Sequence, residues 1–369
     1  MFNWYGKGLR FGDLRIPTPI VQGGMGIGVS GRKLAIAVAE SGGIGVISAV
    51  GLGYMGIPCE IEEKKDESSN ISILRQEIRK AKLATKGVLG VNIMVAISEF
   101  AETARAAVEE GIDIIFAGAG LPLNLPAALI EGSKTKLVPI VSSARTAKLI
   151  AKRWMSHYQY VPDGFVVEGP MAGGHLGFSK EQIDDPSYRL ENLIPQVLEE
   201  VKRIEEDAKK EIPIIAAGGV YTGEDIYEML NLGASGVQMA TRFVVTEECD
   251  ADLAFKQAYI DCKKEDIGII ESPVGLPGRA IINKFLLDAK KGLKSPINCS
   301  RHCIKTCQEE KSPYCISSAL INAVHGKVEN GFAFIGANGY RVDRILTVAQ
   351  LFEELAEEFR VRYEQKALK

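Results

Sequence analysis

No run of 18 consecutive apolar residues occurs in the 369-residue chain, so no membrane span is expected. An excess of positive charge is also missing. The chain has 44 Lys and Arg against 47 Asp and Glu, a net charge of −3, which gives no footprint for a nucleic-acid binder. The opening Met1-Phe2-Asn3-Trp4-Tyr5-Gly6-Lys7 lacks the basic-then-apolar order of a secretory signal. Cysteine is scarce, with seven in the chain. That is too few for a disulfide-stapled secreted scaffold, and a reducing cytoplasm is the expected setting. No G-x-x-x-x-G-K-[ST] loop and no G-x-S-x-G elbow is present, which argues against a P-loop nucleotidase and a serine hydrolase.

What the chain does have is a globular composition, 46% apolar and 25% charged, enough to bury a large core. Length alone gives a prior of about 2.5 domains. Eight short apolar runs follow one another: Pro19–Gln22, Gly45–Ala49, Gly90–Val95, Ile114–Ala117, Leu137–Val141, Gly164–Glu168, Ile212–Ala216 and Gly236–Ala240. Helical patterns lie between them at Lys33–Ala39, Ile71–Ala84, Phe100–Glu110, Ala144–Trp154, Leu193–Ala208 and Gly223–Leu232. Strands alternating with helices imply right-handed crossovers and a parallel sheet, and eight such units match a (β/α)8 barrel better than an open doubly wound sheet. The segment Phe178–Leu190 reads as a long loop after the sixth strand. Past residue 270 the rhythm stops, and a Gly/Pro-rich stretch, Pro273–Gly278, leads into a cysteine-bearing tail. The expected division is a barrel over 1–270 and a smaller, mainly helical lid over 271–369.

Glycine, 38 of 369 residues, exceeds the roughly 7% of an average protein, and it collects at strand ends. The relevant stretches are Gln22-Gly23-Gly24-Met25-Gly26, Gly118-Ala119-Gly120, Ala172-Gly173-Gly174-His175 and Ala217-Gly218-Gly219. Active sites of such barrels lie at the C-terminal strand ends. Glycines there let main-chain N–H groups approach phosphate oxygens, although glycine also serves simple tight turns. Gly218-Gly219 faced by Met239–Thr241 fits a phosphate site between loops seven and eight. His175, one of four histidines, stands in a Gly-rich strand-end loop, where an imidazole can exchange a proton near neutral pH. Cys299, Cys303, Cys307 and Cys315 cluster in the tail around His302. Their C-x3-C-x3-C-x7-C spacing matches neither zinc ribbons nor ferredoxin runs, which leaves a zinc or iron–sulfur site and plain buried thiols as the two readings.

Together these residues resemble the nitronate monooxygenase (2-nitropropane dioxygenase) family and its relatives, the flavin-dependent type II enoyl-acyl-carrier-protein reductases. The resemblance runs from about Ile16 to Arg279 and rests on the Ala172–His175 loop, the Ala217–Gly219 turn and Gln238–Phe243. It implies a TIM barrel with FMN at the strand ends beneath a lid. By position, Gly23, Gly24 and Met25 would approach the isoalloxazine, and Asn92 its pyrimidine edge. Glu168, Gly173, Gly174, Gly218, Gly219, Gln238, Met239, Ala240 and Thr241 would complete the cradle. His175 would bind the nitro oxygens of a nitronate or act as a base, in a reaction that uses dioxygen. In the alternative, an NAD(P)H-dependent enoyl-thioester reductase, it would lie near the thioester, with acyl carrier protein as a partner that Lys284, Lys290, Lys291 and Lys294 could meet. The chain departs from the common pattern at Met171 (often Glu), Ala240 (usually Gly) and Gly26 (often Ala), which leaves the subfamily open. A third reading, a flavin-free barrel enzyme acting on a phosphorylated metabolite, gives Asn92 and the first glycine loop no work. The expected partner is a small-molecule substrate, with neither nucleic acid nor membrane, and a homo-oligomer is compatible with this.

Overall fold

A computed structural model describes residues 4, 6, 8–54, 68–295 and 302–367. Eight parallel strands close into a barrel in strict chain order. They are Ile20–Gln22, Ile44–Ser48, Val88–Met94, Ile114–Gly118, Lys136–Val141, Phe165–Glu168, Ile214–Ala217 and Gly236–Met239. The eighth pairs back onto the first, Met239 opposite Gln22. Each coincides within two residues with an apolar run read from the sequence, and the six helical patterns are the helices between them. The fold is a TIM barrel.

Period-two alternation sends every second strand residue into the barrel. Val21, Ile44, Val46, Ile114, Phe116, Val138, Val166 and Ile215 fill its interior, and a hairpin (Leu9–Phe11 with Leu14–Ile16) plugs the bottom with Leu9, Phe11 and Ile16. One step further toward the C-terminal ends, the same inward positions are Gly23, Ser48, Asn92, Gly118, Glu168, Gly219 and Gln238. The packed core therefore gives way to a hollow lined by small and polar groups. The sequence places that change at one level on seven of the eight strands.

The segment expected to form the lid starts a few residues before 271, as an antiparallel hairpin, Ile267–Glu271 with Pro277–Ile281, to which Gly174–His175 adds a third strand. Helices Lys284–Lys290 and Ile316–Val324 follow, around a small core of Phe285, Tyr314, Ile316 and Phe332. The last helix, Val348–Ala367, returns to the barrel wall. It lies against helix Gly223–Asn231, with Arg362 paired to Glu228, Arg242 to Glu354 at 2.6 Å, and Phe359 edge-on to Tyr227, centroids 5.7 Å apart. It also touches Arg32–Glu40, the first outer helix, and so occupies the eighth outer position. We propose on this basis that the lid is an insertion between the eighth strand and its helix.

The Phe178–Leu190 segment, expected to be a loop, contains a short helix, Lys180–Asp184, started by a Ser179/Gln182 capping box, and a 3-10 turn at Pro186–Tyr188. Among the described residues no helix is long and apolar enough to cross a membrane.

Candidate active site

The hollow above the barrel core is a cavity of about 260 Å³. Gly23, Gly24, Met25, Asn92, Glu168, Gly173, Gly174, His175, Gly218, Gly219, Gln238, Met239, Ala240 and Thr241 all line it. Every barrel-site residue expected from the sequence is thus brought to one place.

Loop one is held by Ser30, whose hydroxyl accepts from the Met25 amide at 2.9 Å and donates to its carbonyl at 3.3 Å. Gly24 packs so closely on Asn92 that any Cβ there would overlap its side chain. Loop seven turns through Gly218 and Gly219 at φ +93° and +95°, a region L-residues with a Cβ rarely adopt. Asn338 of the lid segment donates to the Gly219 carbonyl at 2.7 Å, and the Gly336 amide donates to the Thr241 hydroxyl at 3.1 Å. The two loops facing a phosphate in such a barrel are in this way tied to the lid. Arg279 fixes loop six by donating to the carbonyls of Pro170 (2.8 Å) and Ala172 (3.2 Å).

His175 sits between barrel and lid. Main-chain pairing sets it opposite Gly278, its Nε2 lies 2.7 Å from the Ser272 hydroxyl, and Phe334 meets the ring edge-on at 5.0 Å. Ser272 Oγ also accepts from the Val274 amide at 3.3 Å. Either atom of the His175–Ser272 pair can be the donor, according to the imidazole tautomer. Desolvation lowers the His175 pKa to about 4, so the ring is neutral near pH 7. Burial has the opposite effect on Glu168, raising its carboxyl to about 7; a buried carboxyl favours its uncharged form.

These two shifts give stability opposite slopes with pH. From about pH 6.5 down to 4 an unfolded histidine takes up a proton that native His175 refuses, so stability falls with falling pH. From about pH 4.5 up to 7 unfolded Glu168 is ionised while the native group keeps its proton, so stability falls with rising pH. In protein freed of bound ligand, Glu168→Gln is therefore expected to raise Tm by roughly 3 °C at pH 8 and to leave it unchanged at pH 4. Thermal melts at the two pH values check this; a pH-independent shift would mean the carboxyl is not held neutral.

The tail cysteines do not converge. Cys303 Sγ is 3.1 Å from the Ser317 hydroxyl, Cys307 is exposed beside Ser312, and Cys315 precedes helix Ile316–Val324. Cys299 lies outside the described residues, and no metal-binding group of three or more His, Cys, Asp or Glu occurs among those described. The zinc or iron–sulfur expectation is unsupported. The spacing of four that motivated it needs a helix, whereas Cys303 and Cys307 lie in irregular chain.

Several site residues escaped the sequence reading: Ser48, Ser272, Phe334 and Asn338. Ser48 could have been found by extending the inward alternation of Ile44 and Val46 by one step. Nothing local marks the other three, which reach the site from the lid.

The nitronate monooxygenase family profile matches residues 11–358. The chain belongs to the nitronate monooxygenase family. Among relatives of this family member, the (3aS,4S,5R,7aS)-5-hydroxy-7a-methyl-1-oxo-octahydro-1H-indene-4-carboxyl-CoA dehydrogenase of Rhodococcus jostii is 28% identical over 74% of the chain, which spans 65% of that protein's length. The probable nitronate monooxygenase of Staphylococcus aureus is 26% identical over 74% of the chain and 78% of its own length. Both are named as oxidoreductases. FabK from Thermotoga maritima superposes with a TM-score of 0.72 at 25% identity, covering 95% of this chain and 96% of its own.

Proposed function

We propose that the protein is an FMN-dependent oxidoreductase that oxidises alkyl nitronates with dioxygen. The observation that carries this reading is the single cavity in which a glycine cradle, a polar floor and a neutral His175 meet. The residues fit a flavin. Gly218 and Gly219 turn at positive φ, and a Cβ there would strike loop six at the Gly169 carbonyl oxygen and at Met171, so glycine is what lets the main chain run here opposite Ala240 and Thr241, and this pair of loops suits a phosphate. Asn92, Gln238 and Glu168 offer hydrogen bonds on the floor, and Gly23, Gly24 and Met25 offer a flat approach for the ring. Ser48 Oγ, buried on that floor, has no partner among the described residues, as expected where a ligand completes the bonding.

When bound, FMN supplies the two-electron redox chemistry. The chain supplies placement. Neutral His175, oriented by Ser272, can donate its N–H to a nitro oxygen or accept a proton. Phe255 and Tyr259 of helix Leu253–Ile260, with Leu320, Val324 and Phe334 of the lid, give the cavity an apolar wall that would keep water from the reacting atoms.

A thioester substrate is the second reading, supported by the relative named as a CoA dehydrogenase. An anaerobic absorption spectrum separates the two. Flavin bands at about 370 and 450 nm are expected from the purified protein, and propyl-2-nitronate alone is expected to bleach them. Bleaching by NADH or NADPH and not by nitronate would favour the reductase, and a colourless protein that takes up no added FMN would remove both.

A further inference from the structure

We infer that Ser48 is a hydrogen-bond donor to the flavin ring, an inference that rests on the flavin reading above. Four buried side-chain polar atoms lack a partner among the described residues: Ser48 Oγ, Thr103 Oγ1, Arg153 Nε and Tyr314 OH. Only Ser48 belongs to the cavity lining. Thr103 lies inside outer helix Phe100–Glu109, Arg153 on helix Ala144–Tyr158, and Tyr314 in the lid core.

Ser48 is 1% exposed and ends the second barrel strand in register with Asn92. Its amide donates to the Ser30 carbonyl at 3.0 Å, and its hydroxyl has no partner among the described residues. The hydroxyl therefore caps nothing and braces no turn. The inward positions below it are Ile44 and Val46, so an apolar residue would suit the barrel core better at this point. A buried hydroxyl without a partner destabilises the fold, and its presence at the cavity floor is accounted for by a ligand acceptor. Flavin's pyrimidine edge carries carbonyl oxygens and gains negative charge on reduction, and a donor beside Asn92 matches that edge. Such a bond strengthens as the acceptor becomes anionic, so Ser48 holds the cofactor and favours its reduced form.

The test compares wild type, Ser48→Ala and Ser48→Cys after FMN removal. FMN titration, thermal melts of the apoprotein and the reduction potential of the reconstituted protein are measured. Ser48→Ala is expected to weaken FMN binding about 5- to 10-fold and lower the potential. Its apoprotein Tm should equal or exceed that of wild type, because an unsatisfied group has been removed. Ser48→Cys, close in volume and a weak donor, should fall between the two. FMN affinity within twofold of wild type in Ser48→Ala overturns the assignment and leaves the flavin reading intact. A loss of apoprotein stability that parallels the loss of affinity shows a structural role and also overturns it. Wild-type protein that binds no FMN overturns both.

Discussion

His175→Ala is expected to lower turnover by roughly 10²-fold or more, the scale of one acid/base or hydrogen-bonding group at the reacting atoms, while FMN stays bound. The expectation follows from how the side chain is held. Its Nε2 is engaged by Ser272 at 2.7 Å and its ring is wedged against Phe334, so one imidazole orientation is fixed before substrate arrives. The variant should fold, because the strand carrying His175 is anchored by main chain. Gly174 and His175 pair with Arg279 and Gly278, and the Leu176 amide donates to the Pro277 carbonyl at 2.8 Å. None of these bonds needs the imidazole. Flavin content from the visible spectrum, circular dichroism and steady-state turnover are the measurements. Unchanged turnover would remove His175 from the chemistry, and loss of flavin would move it from substrate to cofactor binding.

The barrel was legible because its signal is local. A parallel strand buried on both faces is a short Val/Ile-rich run, and eight such runs with amphipathic helices between them leave few topologies. The floor of the site was legible for a related reason. Its residues lie at strand ends, where glycine and small polar groups interrupt an apolar alternation, and closing the barrel brings all eight ends together. His175 stood out through its Gly-rich surroundings.

The lid was less legible because its contacts are long-range. Ser272 meets His175 across 97 residues, and Asn338 meets Gly219 across 119. No periodicity encodes such pairs. The hairpin around Pro273–Gly278 reads as a bare Gly/Pro stretch until loop six adds a strand to it. The tail cysteines show the converse error. A regular spacing suggests one face of a helix, yet the described segment around Cys303 and Cys307 is irregular and pairs with the loop after the third strand, Ile304 bridging to Ile97 and the Lys305 amide donating to Ala96 at 3.0 Å. The spacing carries no geometric meaning without the helix.

The second large effect is expected at Gly218. Valine there is expected to weaken FMN retention by at least about tenfold. Two costs combine. The backbone sits at φ +93°, where a β-branched residue is strained by on the order of 1–3 kcal/mol. A Cβ would also stand 2.7 Å from the Gly169 carbonyl oxygen and 3.2 Å from the Ala172 Cβ, so the loop must move away from loop six to admit it. That movement displaces the main-chain groups proposed to cradle the phosphate. Gly132→Val separates the two costs. Gly132 has φ +76° with nothing within 4 Å of a Cβ, and it precedes the fifth strand at the opposite end of the barrel from the site. It should lose comparable stability from backbone strain and keep its FMN. If both variants lose flavin in proportion to their loss of stability, retention reports folding alone. If Gly218→Val keeps full occupancy, the phosphate does not lie at this loop. Loss confined to Gly218→Val places it there, with the Asn338 and Thr241 contacts that tie the lid to the same two loops.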